Sequence, residues 1–112
     1  SGTWKGEEFI DKIVILRGGR GFVIYDNGAS MNISLKVEDG KLIATQISMS
    51  NASYFPEISR EKALELAPSA NPIKWNLNIK NSKELEGTKY TLTEKNSSSP
   101  TYSQISVKWT KQ

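Results

Sequence analysis

Apolar and polar residues alternate with a period of two along most of the chain. The clearest stretch carries Met31, Ile33, Leu35 and Val37 with Asn32, Ser34 and Lys36 between them, the pattern of a strand with one face buried and the other wet. It returns with Ile73, Trp75, Leu77 and Ile79 against Lys74, Asn76, Asn78 and Lys80, and again with Ile105, Val107 and Trp109. Turn signals punctuate these runs at short intervals, at Asp26-Asn27-Gly28, Glu38-Asp39-Gly40 and Asn81-Ser82-Lys83. Asn-Gly and Asp-Gly pairs tolerate the positive φ that tight hairpins demand. Between the turns, segments rich in Ile, Val, Thr, Trp and Tyr predict strands at 3–9, 12–17, 21–25, 30–37, 41–49, 73–80, 85–94 and 105–109. About eight such strands in succession make an antiparallel meander that can close into a small barrel. On this reading Trp75, Tyr90 and Trp109 face inward.

One segment breaks the alternation. Arg60 through Ala67 are residues of high helix propensity, with Ser59 placed to cap the amino end and Pro68 to stop the other. The fold class expected is therefore mainly all-β, with one short helix near 57–67 that plugs one end of the barrel or lies across its mouth. The Ser-rich stretch at 95–101 reads as a polar, mobile loop.

Composition narrows the possibilities. A chain of 112 residues, 37% of them hydrophobic, supports one domain, 1–112, around one core. The longest apolar run is Ile13 to Leu16, far short of a membrane-spanning helix. The net charge is +3, with 15 basic residues interspersed among 12 acidic ones; that mixture favours solubility over a nucleic-acid partner. There is no cysteine, hence no disulfide and no thiolate. With no histidine either, the usual general base and transition-metal ligands are absent. The chain opens at Ser1-Gly2 without an initiator Met, as a trimmed or mature domain would, with any signal peptide or lipid anchor lying upstream.

Candidate chemistry is sparse. Trp75, Tyr90 and Trp109 would line an apolar cavity for a hydrophobic ligand, although core filling by these large rings is favoured in so small a domain. Tyr54 and Phe55, just ahead of the helix, would line its mouth or pack the helix onto the barrel end. Arg17-Gly18-Gly19-Arg20-Gly21 offers exposed amides and two guanidiniums to an anion, against the plainer reading of a glycine hairpin with solvated Arg17 and Arg20. Ser59-Arg60-Glu61-Lys62 formally fits S-x-x-K, but the companion S-D-N and K-T-G elements are missing and Ser59 already serves as a cap. Glu7 and Glu8 are expected on a strand, pointing to opposite faces, with solvation as their role. N-x-S/T triplets at Asn32, Asn51 and Asn96 occur at chance frequency.

Gly2-Thr3-Trp4-Lys5-Gly6, Asp39-Gly40-Lys41-Leu42 and Leu85-Glu86-Gly87-Thr88 together resemble lipocalin-like (calycin-like) small β-barrels of the kind found in bacterial lipoproteins and secreted proteins. Gly2-Thr3-Trp4 matches the G-x-W opening of lipocalins. The resemblance implies that Trp4 closes one barrel end beneath a basic residue near the last strand, Lys111 or Lys108. It implies an exported, non-enzymatic binding module for a small hydrophobic or amphipathic ligand, with no cofactor and no metal. The T-D-Y loop pattern of lipocalins is missing and the chain is short, which points to a shallow basin or a filled core instead of a deep cavity. The competing readings are a filled-barrel scaffold for another protein or the cell envelope, and an OB-like single-stranded nucleic-acid binder. Any membrane contact would come through an upstream lipid anchor.

Overall fold

The structure is a computed structural model and describes residues 2–94 and 99–112. Eight antiparallel strands follow one another around a closed barrel in chain order: β1 (Gly2–Lys5), β2 (Ile10–Leu16), β3 (Arg20–Tyr25), β4 (Ser30–Glu38), β5 (Lys41–Gln46), β6 (Lys74–Asn81), β7 (Glu84–Thr93) and β8 (Thr101–Lys111). This is the small barrel expected from the alternation. Its consecutive order is unlike the five-stranded Greek-key OB architecture.

One end of the barrel is made of tight hairpins. At the β2–β3 turn both Gly18 and Gly19 have positive φ, and a Cβ on Gly19 would stand 2.7 Å from the Leu35 carbonyl oxygen, so glycine is required there for space as well as for conformation. At this end the strands outrun the core. Met31 and Ile33 are fully buried while Val37, on the same face, is 69% exposed. Leu77 is buried where Ile79 is 41% exposed. Inside, Ile13, Val23, Met31, Ile33, Trp75 and Trp109 have no exposed surface. Burial of each such side chain contributes about 1.5–3 kcal/mol, which makes this packed interior the main source of stability.

The other end is covered by the segment between β5 and β6. It runs through a 3-10 turn at Ala52–Tyr54, helix α1 (Arg60–Leu66) and a second 3-10 turn at Ala67–Ser69 with Pro68 in its first turn. Ser59 caps α1 as expected, its side chain accepting from the Lys62 N–H, while its own N–H donates to the Glu94 carboxylate at the end of β7. Buried Gln46 clasps the two ends of the segment. Its backbone N–H and side-chain oxygen bond Ile73 on both sides, and its amide nitrogen donates to the Ser48 carbonyl and the Ser50 hydroxyl.

Three expectations are corrected here. The first strand stops at Lys5 instead of 9, because Gly6 (φ 142) is pressed against β8, where a Cβ would stand 2.1 Å from the Lys108 carbonyl oxygen. The fifth strand stops at Gln46 instead of 49, since the Ser48 carbonyl and hydroxyl turn back to side-chain and backbone donors. The α-helix proper is shorter than 57–67, with Pro56 and Glu57 forming the turn that leads into it. Most of the loop expected at 95–101, and the triplet at Asn96, lie outside the described residues.

Candidate functional site: a buried ionic cluster behind a slot

At the covered end, the barrel interior holds a charged cluster. Lys89, on β7, has no exposed surface. Its ammonium donates to Glu7 Oε1 at 3.1 Å and to Glu57 Oε2 at 2.9 Å. Glu7 Oε2 in turn accepts from the indole N–H groups of both Trp75 and Trp109, each at 2.7 Å. The two indoles meet edge to face at 5.8 Å, and the Lys89 ammonium sits 5.3 Å from the Trp75 ring, so the cation has an aromatic neighbour as well as two carboxylates.

Local structure explains the inward turn of each acid. Glu7 lies in the β1–β2 turn, where the Ile10 N–H bonds the Glu7 carbonyl and the Asp26 N–H bonds the carbonyl of Phe9, itself at φ 71. Glu57 follows Pro56, between Phe55 and Ile58, both buried, which anchor its turn in the barrel end. Burial pulls the Lys89 ammonium toward a lower pKa, yet Glu7 and Glu57 outweigh it and hold the pKa above the ordinary 10.5. Burial, followed by the negative charge of Glu57 and Glu7, holds the Tyr25 phenol well above its ordinary 10.0.

The cluster is incompletely satisfied. Glu57 Oε1, the Tyr25 hydroxyl and Thr91 Oγ1 are buried without a hydrogen-bond partner among the described residues. Two carboxylates also face a single ammonium, a formal excess of one negative charge in a site of low dielectric. Glu7 and Glu57 both line a slot of about 480 Å³ on the outside of the barrel, between the β1–β2 turn and β8, with Phe9, Ile105 and Val107 as its apolar lining. The two carboxylates of the cluster thus contribute to the wall of an open slot.

The residues singled out from the sequence are scattered by comparison. Trp75 and Trp109 face inward as expected, packed in the core and bonded to Glu7. Tyr90 does not face inward. Lys89 and Thr91 occupy the inner parity of β7, which puts Tyr90 outside, stacked on Tyr102 at 5.2 Å, where both hydroxyls bond Asn71. There it buttresses the chain entering β6 and borders a second depression of about 720 Å³ on the outer sheet face. Tyr54 and Phe55 belong to the covering segment and are buried. Tyr54 stacks on Tyr25 at 5.7 Å and donates to the Ser30 carbonyl at 2.8 Å. Arg17 and Arg20 are exposed at the β2–β3 hairpin, at the opposite end from the cluster. The stem of Lys111 lies against Gly2, and Lys111 pairs with Trp4 across β1 and β8; Lys108 bonds Glu84 instead.

Glu7, expected to be a solvated strand residue, is instead bonded to Lys89 with its side chain 4% exposed, and neither Glu57 nor Lys89 stands among the residues singled out from the sequence. A parity signal for Lys89 was present, since Leu85 as an inward residue of the same strand places Lys89 inward too. Among the described residues no group of three or more acidic side chains converges to hold a metal, and no helix is long and apolar enough to cross a membrane. No curated protein and no solved structure matches the chain. A family model does: TP_0183_C, with the description C-terminal, matches residues 1–112.

Proposed function

The chain belongs to the TP_0183_C family, and from that premise we propose that it is a non-enzymatic binding module, a filled lipocalin-like barrel that contacts a protein partner through the slot beside β8. One observation carries the reading. The interior is occupied by its own side chains, whereas Glu7 and Glu57 of the buried cluster also line a slot on the barrel wall. A carrier of hydrophobic ligands calls for an apolar cavity; here the inward rings that would line one, Trp75 and Trp109, pack on each other and bond Glu7. Slots that join apolar lining to a few convergent polar groups are the usual shape of recognition sites. The lipocalin likeness rests on the first-to-last closure of an eight-strand meander and on the buried Trp4 of the Gly2-Thr3-Trp4 opening. Export belongs to this proposal through that likeness.

The test pairs two measurements on the protein in its own cells. A photo-crosslinking amino acid in place of Phe9, which lines the slot at 40% exposure, is expected to join the chain to a second polypeptide. Native mass spectrometry of the purified chain is expected to give its bare mass. A defined lipid-sized adduct without a protein crosslink contradicts the reading and restores the carrier.

A further inference from the structure

β8 is 11 residues long, yet β1 pairs with it only at Trp4↔Lys111 and Lys5↔Thr110. On its other side β7 pairs with it in unbroken register from Thr101 to Thr110. The bond from the Lys111 N–H to the Lys83 carbonyl sets the alternation of the ladder. Odd-numbered residues of β8 turn their backbone groups toward β7, and the even-numbered Lys108, Ser106 and Gln104 turn theirs away. The Lys108 carbonyl is met by Gly6. Beyond it, no strand among the described residues pairs with Ser106 or Gln104 on that side.

Free edges of this kind template another strand, and proteins usually blunt them with proline, a bulge or an inward charge. β8 from Thr101 to Lys111 has no proline, no bulge against β7, and Ile105 and Val107 at its inward positions. Those two side chains are only half-buried because the slot opens beside them. Charge points the same way. Among the described residues the slot is lined by Glu7, Glu8, Glu57 and Glu86 against Lys108 alone, and Lys108 is already bonded to Glu84. Glu57 Oε1, just behind the slot wall, is buried without a hydrogen-bond partner among the described residues.

We propose that the free edge of β8 takes up an extended peptide segment as an added strand, and that one Lys or Arg side chain of that segment reaches Glu57. The proposal rests on the binding-module reading and narrows its partner to an extended segment with a cationic residue. Backbone hydrogen bonds to the edge supply affinity, and the alternate side chains that enter the slot supply selectivity. A cation at Glu57 also removes the formal charge excess of the cluster.

The test uses a displayed library of random short peptides selected on the purified chain, followed by amide NMR of the winners. Enriched peptides are expected to alternate β-branched residues with one Lys or Arg and to shift the amides of Gln104 and Ser106. Glu57→Gln, which keeps an oxygen for Lys89, should weaken their binding about tenfold. Ser106→Pro removes an N–H that faces the slot, not β7, and should abolish binding with the near-ultraviolet circular dichroism unchanged. Winners that shift only the outer-face amides of β4 to β7, binding indifferent to both substitutions, or no enrichment would each overturn the strand proposal. The module reading fails separately, by the small-molecule adduct described above.

Discussion

The hairpin end of the barrel and its covered end bury tryptophan in opposite ways. Trp4, near the termini at the hairpin end, is buried with an indole N–H that meets no partner among the described residues. Trp75 and Trp109 give theirs to one oxygen of Glu7. The hairpin end is organised by strand pairing and apolar burial that thins toward the turns, while the covered end adds a fixed polar geometry deep in the core. Buried ion pairs are weak sources of net stability relative to apolar packing. A cluster with one carboxylate too many, open to a slot, is therefore better explained by recognition than by folding.

Breaking the covered end at its centre should have the largest effect. Lys89→Met leaves Glu7 and Glu57 buried without their cation and is expected to lower stability by about 3–5 kcal/mol in urea unfolding. Lys108→Met, which breaks only the exposed pair with Glu84, should leave the urea midpoint where it was. Next come the tryptophans. Trp109→Phe removes a hydrogen bond to a carboxylate and should cost about 1.5–3 kcal/mol beyond lost packing, whereas Trp4→Phe discards an N–H without a partner among the described residues and should cost packing alone. Equal losses at the two ends would erase the distinction between them.

Alkaline titration sharpens the same contrast. Lys89 and Tyr25 both have folded pKa values raised above the ordinary 10.5 and 10.0. Their contribution is fully present below those values and is lost as pH rises through the folded ones. Stability should accordingly fall above about pH 10, and Tyr25→Phe should make the fall shallower in denaturation midpoints measured across that range. The smallest effect belongs to the hairpin end: Val37→Thr, at a position 69% exposed, should move stability by no more than about 0.5 kcal/mol.

Periodicity and turn chemistry made the barrel legible, because each strand has one face in the core and each hairpin needs residues that accept positive φ. Ser59 was legible as a cap for the same local reason. The covered end was not. Glu7 sits where alternation predicts a strand, and the close approach of Gly6 to β8 together with the turn at Phe9 diverts the chain there. Glu57 is placed by Phe55 and Ile58 packing into the barrel, a tertiary event with no periodic trace. Tyr90, expected on an inward face with Trp75 and Trp109, lies outside because Leu85 and Gly87 set the opposite parity and bring Lys89 into the core. The side that Tyr90 takes on β7 therefore decides whether Lys89 is seen in the core.

Competitive amine acetylation of the folded chain, read lysine by lysine by mass spectrometry, tests the buried cluster most directly. Lys89 is expected to stay unmodified while exposed lysines such as Lys36 and Lys108 react, and to become reactive only when the barrel unfolds. Modification of Lys89 at the rate of those surface lysines, in a chain that remains folded, would contradict the cluster and the site built on it.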